Sequence, residues 1–245
     1  MESEGFTVTA ESEATHWWFV SRRIVFLAQV ARAIKEAKIA QPRILDYGCG
    51  SGFNLGPLSH FGSVSGFDPA EAHWRSISKA DEFLRLTQDQ VSAGNKTFAV
   101  VTALDVIEHA EADVELLASL RKLLAPRGQL VLTVPAYPWL WGPEDVTSQH
   151  KRRYTRRTLV RACEDAGLVV ENLSFFNALL LPAIASTIKL RKIFQPRART
   201  NVMATPPLVN AILGAVSSFE GRLVGNERVR FPFGASIIAR LSAAR

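Results

Sequence analysis

Cysteine is scarce in this chain: Cys49 and Cys163 are the only two among 245 residues. Such a count does not indicate the disulfide framework of a small secreted domain. The N-terminus, Met1-Glu2-Ser3-Glu4, carries two acidic residues and lacks the basic and apolar regions of a secretory signal. We therefore expect a cytoplasmic protein.

Long apolar segments are also missing. A charge-free stretch runs from Leu173 to Ile188, but Pro182 interrupts it. It is also shorter than the roughly 20 apolar residues that cross a bilayer. The sequence therefore predicts no transmembrane helix.

The charge balance is moderately basic, with 29 Lys and Arg against 23 Asp and Glu, a net charge of +6 and a pI near 9.6. This excess suits an anionic substrate, a membrane surface or nucleic acid. The length is that of one domain with an ample core.

The most informative segment is an apolar strand that ends in Asp46 and enters a turn with Gly48, Gly50 and Gly52. Glycines let a backbone turn sharply and approach a ligand closely, because they lack a Cβ atom. A dinucleotide site needs glycine at the sixth turn position, which here is Phe53. A P-loop is excluded as well, because no Gly-Lys-Ser/Thr follows.

The acids around this turn indicate a ligand without phosphate. Asp46 would repel a pyrophosphate but suits an ammonium group. Asp68, followed by Pro69, ends the next predicted strand, close to the spacing expected for an acid that binds ribose hydroxyls. S-adenosylmethionine carries an amino acid end, a sulfonium and a ribose, so it fits. The alternative is that both acids are ordinary residues of strand-end turns.

Three motifs, at 46–52, 66–69 and 104–109, resemble those of class I S-adenosylmethionine-dependent methyltransferases, especially the group with the ubiquinone-biosynthesis O-methyltransferases. The resemblance covers roughly residues 12–175 and 231–241. It implies a Rossmann-like α/β fold with a seven-stranded, mostly parallel sheet and helices on both faces. The cofactor residues inferred from the motifs and the resemblance are Trp17, Arg23, Asp46, Gly48, Cys49, Gly50, Gly52, Phe53, Asp68, Pro69, Leu104 and Asp105.

We divide the chain into an N-terminal helical lid (1–40), a cofactor-binding core (41–175), a helical insertion (176–230) and a final strand (231–245). Strands are expected near 43–47, 64–68, 84–88, 98–103, 129–134, 168–174 and 235–241, and helices at 13–40 and 111–124. The last two strands should form an antiparallel hairpin. The insertion between them is interpreted as an acceptor lid, a membrane contact or a dimer surface.

The helix near residues 16–23 resembles the lid helix of the family. There Trp17 or Trp18 would cover the cofactor, and Arg22 or Arg23 would meet its carboxylate. The alternative is that these aromatic residues only pack the helix on the core.

The acceptor side is predicted to follow the fifth strand. Tyr137, Trp139 and Trp141 are candidates for a substrate wall. Arg152 and Arg153 lie just before a helix start, where an anion is favoured, although a solvated basic face is equally consistent. The residues considered as a general base are His150, Tyr154 and His109, the last also interpretable as a structural helix-start residue. No metal site is predicted.

The sequence thus predicts a methyltransferase for a small or lipid-like, anionic acceptor, methylated at oxygen or carbon. The alternatives are an RNA or protein methyltransferase and a catalytically silent scaffold. Nucleic acid is disfavoured, because Ala103-Leu104-Asp105-Val106 stands where an Asn-Pro-Pro-Tyr-type motif would serve exocyclic amines.

Overall fold

The structure is a computed structural model that describes residues 13–70, 84–92, 97–194, 205–226 and 229–244. The predicted polar N-terminus (1–12) and most of the link between the two insertion helices lie outside the described residues.

One sheet of seven strands organises the fold, in the order β3-β2-β1-β4-β5-β7-β6. Strand β7 is antiparallel to β5 and β6, and the other pairs are parallel, which confirms the predicted fold class and hairpin. The strands are β1 (Arg43–Tyr47), β2 (Ser63–Phe67), β3 (Leu84–Arg85), β4 (Phe98–Leu104), β5 (Leu124–Pro135), β6 (Leu168–Phe176) and β7 (Ser236–Ala243).

Eight α-helices are assigned in the described residues. They are α1 (Trp17–Ala37), α2 (Leu55–Ser59), α3 (Gln88–Ser92), α4 (Asp113–Leu123), α5 (Pro143–Thr147), α6 (Arg156–Asp165), α7 (Leu181–Phe194) and α8 (Pro207–Gly225). Helix α4 begins at Asp113, two residues later than expected. His109 instead ends a short 3₁₀ turn, Ile107–His109, that follows β4.

Helix α1, which belongs to the predicted N-terminal lid, packs on the core of the protein. Its buried face, including Val25, Phe26, Val30 and Ala33, packs against β4 and β5. Removing a buried side chain of this size costs about 2–5 kcal/mol, so the helix contributes substantially to stability.

The insertion forms two helices, α7 and α8, between β6 and β7. Helix α8 lies along α1, and the contact is close at Gly225, where an added Cβ would lie 2.8 Å from the Cβ of Ala28. No helix in the described part of the chain is long and apolar enough to cross a membrane.

Candidate active site

The turn after β1 has the backbone that its glycines predict. Gly48, Gly50 and Gly52 all have positive φ, at 75°, 52° and 73°. A Cβ at Gly48 would lie 2.6 Å from Cγ2 of Val106, whereas a Cβ at Gly50 would meet nothing within 4 Å. The turn therefore presents open space at Gly50, at the carboxyl edge of the sheet, where ligands bind in such folds.

Asp46 lies beneath this turn with its side chain buried. Its Oδ1 accepts a hydrogen bond of 2.6 Å from the Thr102 hydroxyl, and its Oδ2 has no partner among the described residues. Burial raises the pKa of Asp46 to about 7, despite the Thr102 hydrogen bond, and the charges of Glu13 and Asp68 add to the rise. A buried carboxylate oxygen without a partner indicates a missing cationic or hydrogen-bonding ligand.

Asp68 connects the end of β2 to the same turn. Its Oδ2 accepts the Gly50 N–H at 2.9 Å, and its Oδ1 accepts the Ala70 N–H at 2.8 Å. The carboxylate is thus held by backbone donors beside the glycine turn. Pro69 lies in the sequence between Asp68 and Ala70. Residues 71–83 lie outside the residues that the structure describes.

A cavity of about 210 Å³ opens beside these groups. Seven of the predicted cofactor residues line it, together with several that the sequence did not single out. The lining consists of Glu13, Phe19, Arg22, Arg23, Phe26, Asp46, Gly48, Cys49, Gly50, Asn54, Leu104, Asp105 and Thr133. The predicted Gly52, Phe53, Asp68 and Pro69 are not in the lining.

Two neighbouring arginines of α1, Arg22 and Arg23, line the cavity and have different partners. Arg22, itself buried, forms an ion pair with the half-buried Asp105 and donates to the Ser236 hydroxyl at 2.9 Å. The Arg23 guanidinium lies 4.3 Å from the centre of the Phe53 ring, its Nη2 donates to the carbonyl of Glu13, and its buried Nε has no hydrogen-bond partner among the described residues. Because Asp105 pairs with Arg22, Arg23 is the better placed of the two for a ligand carboxylate, with which the nearby Glu13 charge would compete.

The predicted role of Trp17 as a cofactor cover does not agree with its position. Its backbone N–H donates to the side chain of Asn210 at 2.9 Å, and its Cβ approaches Gly214. Trp17 therefore packs towards α8, outside the cavity lining. Phe19 and Phe26 supply the aromatic lining, because they lie on the face of α1 that is turned towards the sheet.

These features fit the amino acid end of S-adenosylmethionine. The unpartnered oxygen of Asp46 suits its ammonium group, and Arg23 suits its carboxylate. The open space at Gly50 lets the ligand approach the backbone.

A second polar cluster follows β4, next to this cavity. Glu108, His109 and His150 place potential ligand or proton-transfer atoms within 4.8 Å of one another. Glu108 is 0% exposed and neither carboxylate oxygen has a hydrogen-bond partner in the described chain. Burial, together with the charge of Asp105, raises its pKa well above the usual value. Glu108 therefore favours the protonated form, and it stands beside two imidazoles.

Asp145 holds one of these imidazoles in place. Its Oδ1 lies 2.8 Å from Nδ1 of His150 and also accepts from Nε of Arg153, and its Oδ2 accepts the Gly142 N–H. Burial would raise the pKa of Asp145, but these hydrogen bonds outweigh it and lower the pKa. An ionised carboxylate on Nδ1 keeps the proton there and leaves Nε2 as the acceptor.

His109 completes the pair of imidazoles. Its ring centre lies 4.6 Å from that of His150, with the planes nearly perpendicular. Partial burial and the nearby His150 lower the pKa of His109, although Asp105 opposes this. The neutral imidazole, which is the form that accepts a proton, is therefore favoured.

Tyr154 is wrong as a predicted base. Its side chain is buried, and its hydroxyl donates to Asp113 at 2.7 Å. Burial and the Asp113 carboxylate raise its pKa far above the usual value. Tyr154 is therefore a packing residue that joins the loop carrying His150 to the start of α4.

The predicted anion site at Arg152 and Arg153 stays a prediction, and the pairing of both guanidiniums within the protein disfavours it. Arg152 pairs with Asp113 at 2.8 Å and donates to the carbonyls of Ala110 and Glu111. Arg153 is bound by Asp145. Each charge is balanced within the protein, so neither guanidinium is presented to an acceptor.

The predicted aromatic wall is partly assembled. Tyr137 stacks between Trp139 and Phe175, with ring centres 5.6 Å and 5.4 Å away. Trp139 is more than half exposed, and Trp141 is half-buried. Because Arg153 donates to the carbonyl of Ala136, this wall is attached to the loop that carries His150. Whether the wall binds an acceptor stays a prediction.

In the cluster after β4, Asp145 and Glu108 are the residues that the sequence analysis missed. Pro143-Glu144-Asp145 is a helix start at which Asp145 bonds back to the Gly142 N–H. That pattern is visible in the sequence. The contact between Asp145 and His150 is not visible in the sequence, because it requires the chain to fold back beside α5.

Comparison with known proteins gives the family. A family model described as a methyltransferase domain matches residues 19–173. A ubiquinone biosynthesis O-methyltransferase of Rhizobium rhizogenes is 33% identical over 107 residues, 38% of this chain and 43% of that protein. A tRNA U34 carboxymethyltransferase of Idiomarina loihiensis is 31% identical over 102 residues, 37% of this chain and 32% of that protein. The chain thus spans less than half the length of either relative.

The solved structures agree on the fold. A SAM-dependent methyltransferase from Archaeoglobus fulgidus aligns with a TM-score of 0.53 and 18% identity, over 89% of this chain and 93% of that chain. The family match covers the glycine turn, Asp46, Asp68 and the cluster after β4. The chain therefore belongs to the methyltransferase-domain family and, within it, to the class I S-adenosylmethionine-dependent methyltransferases.

Proposed function

We propose that this protein methylates a hydroxyl oxygen of a hydroxylated aromatic acceptor, of a small or lipid-like kind, with His150 as the general base. The observation that carries the proposal is the contact between His150 and buried Asp145, because it orients an imidazole beside the cofactor cavity. S-adenosylmethionine would supply an electrophilic methyl group on a sulfonium. The residues of this chain would bind it, orient the acceptor and accept the hydroxyl proton.

The geometry around His150 supports this assignment. An imidazole acts as an oriented general base when a carboxylate holds the proton on its Nδ1 and its Nε2 is left to accept a proton. The loop is fixed to the cofactor side, because the Lys151 N–H donates to the carbonyl of Glu108 at 2.8 Å, and Glu108 lies three residues after Asp105 of the cavity. The stacked Tyr137 and Trp139 would complement an aromatic acceptor.

The alternative of an RNA methyltransferase depended on the basic charge balance of the chain. The basic run after His150 adds little to it, because Lys151, Arg152 and Arg153 pair with Glu111, Asp113 and Asp145. Cations already paired within the protein release few counterions from a nucleic acid. A small-molecule acceptor with an acidic hydroxyl is therefore favoured.

A methyl-transfer assay with purified protein tests this proposal. We expect turnover with hydroxylated aromatic acceptors, prenylated or not, and none with matched compounds in which the hydroxyl is already methylated. Product mass should rise by one methyl group, and a chelator should leave the rate unchanged if the histidines act as bases. Turnover of transcribed tRNA with no reaction of the aromatic acceptors would overturn the proposal.

Cofactor affinity should depend on pH through Asp46. Its pKa is about 7 without ligand, and an ammonium ligand binds the ionised form better. As pH rises from 5 to 7, Asp46 ionises while the ammonium group of the ligand stays protonated, so the dissociation constant of S-adenosylmethionine should fall by up to about tenfold for each unit below that pKa. Calorimetry at several pH values measures the trend, and Asp46→Asn should flatten it. The same slope in Asp46→Asn would assign the dependence to another group.

A further inference from the structure

We propose that helices α7 and α8 form a docking surface for a bilayer that contains anionic phospholipid. This inference concerns binding alone and does not rest on the acceptor proposed above. The apolar residues that we assign to this surface are Leu190, Ile193 and Phe194 on α7 and Leu208, Ile212 and Phe219 on α8, each more than half exposed.

The exposed residues of α8 form one stripe that faces away from the domain. Leu208, Ile212 and Phe219 recur at helical spacing on one side. The opposite side carries the buried Ser217 and Val224 and packs on α1. The stripe is therefore an apolar face that the described fold leaves open to solvent. Contiguous faces of this kind mark interaction sites.

The charges beside the surface select anionic lipid. Lys189, Lys192 and Arg222 are exposed on the two helices. Glu220 is the one acid within α7 and α8, and its side chain is buried, accepting the N–H groups of Ala178 and Leu179 at 2.9 Å and 2.8 Å. An apolar face bordered by cations without an exposed acid is the pattern of an interfacial helix on anionic membrane.

The same charges disfavour a second copy of this chain as the occupant. A two-fold dimer would place each apolar face against its own equivalent, and the bordering cations would also meet. Neither helix offers an exposed carboxylate to neutralise them. Anionic headgroups supply the negative charge that the helices lack, so the proposed occupant is the bilayer.

The surface is fixed to the acceptor side of the site. The Glu220 hydrogen bonds join α8 to the start of α7. Arg191 of α7, itself buried, forms an ion pair with Glu144 of α5, and Ile188 packs beside Gly142. Helix α5 carries Asp145, the partner of His150. A bilayer docked on α7 and α8 would therefore lie close to the loop that holds the proposed base.

Vesicle flotation with the full chain tests the surface. At low salt we expect the protein to float with vesicles of phosphatidylglycerol and phosphatidylcholine, and to bind pure phosphatidylcholine at least about tenfold more weakly, because several cations contribute. Ile193→Asp combined with Phe194→Ser should abolish flotation. Lys189→Gln combined with Lys192→Gln should weaken it by about tenfold and reduce its salt sensitivity.

Two variants elsewhere serve as matched controls. Val169→Asp changes an exposed apolar residue on β6, and Lys122→Gln removes an exposed cation at the end of α4. Both should float like the wild type, and thermal melting should show that all variants are folded. No flotation of the wild type at low salt, or equal losses in test and control variants, would overturn the proposal. The proposal would also be overturned if light scattering shows a dimer that Ile193→Asp dissociates, and if neither the dimer nor the monomer binds vesicles.

Discussion

Replacing Gly50 with valine is expected to abolish cofactor binding, with a loss of at least about 100-fold, or about 2.8 kcal/mol. Gly50 has φ of 52°, and a β-branched residue there is strained. Its added side chain would also project into the open space above the turn, where no protein atom lies within 4 Å of the Cβ position. That space borders the cavity beside Asp46.

Calorimetry with S-adenosylmethionine and with its demethylated product measures the effect. Gly56→Val on α2 is the matched control, because its Cβ also meets nothing within 4 Å but its φ is not positive and it does not line the cavity. Gly50→Ala, which adds less volume, should give a smaller loss. An affinity within twofold of the wild type in folded Gly50→Val would show that the cofactor binds elsewhere.

Removing the His150 imidazole is expected to lower kcat by about 10²–10⁴, the usual contribution of a general base. The dissociation constant of S-adenosylmethionine should change little, because His150 does not line the cavity. Asp145→Asn should also lower kcat, since an amide would no longer fix the proton on Nδ1 of His150.

The control for His150→Ala is His60→Ala, which removes an exposed histidine far along the chain from the cluster. Because Asp145 is buried and also binds Arg153, its variant must be assayed below its own melting temperature. Normal kcat in a folded His150→Ala variant would leave catalysis to proximity alone, or to His109. The double variant His109→Ala/His150→Ala separates these outcomes.

The sequence by itself was enough for the fold and for the cofactor turn. Asp46, the three glycines and Asp68 are recognisable because each depends on local requirements: a strand end, a positive φ or an acid at a fixed distance along the chain. In a parallel sheet those strand ends must meet at one edge. The antiparallel β6–β7 hairpin and the helical insertion between them were predictable for the same reason, since they follow from the order of elements.

Tertiary structure decided the roles of the side chains. Arg152 and Tyr154 look available for chemistry in the sequence, but both are bound to Asp113, about 40 residues earlier. Trp17 and Phe19 are equally aromatic, and only the packing of α1 on the sheet places Phe19 in the cavity and turns Trp17 towards α8. The Asp145–His150 contact likewise forms only when the chain folds back beside α5. Burial and charge pairing depend on how the folded chain brings side chains together, and these two effects decide which ionisable groups remain free to react.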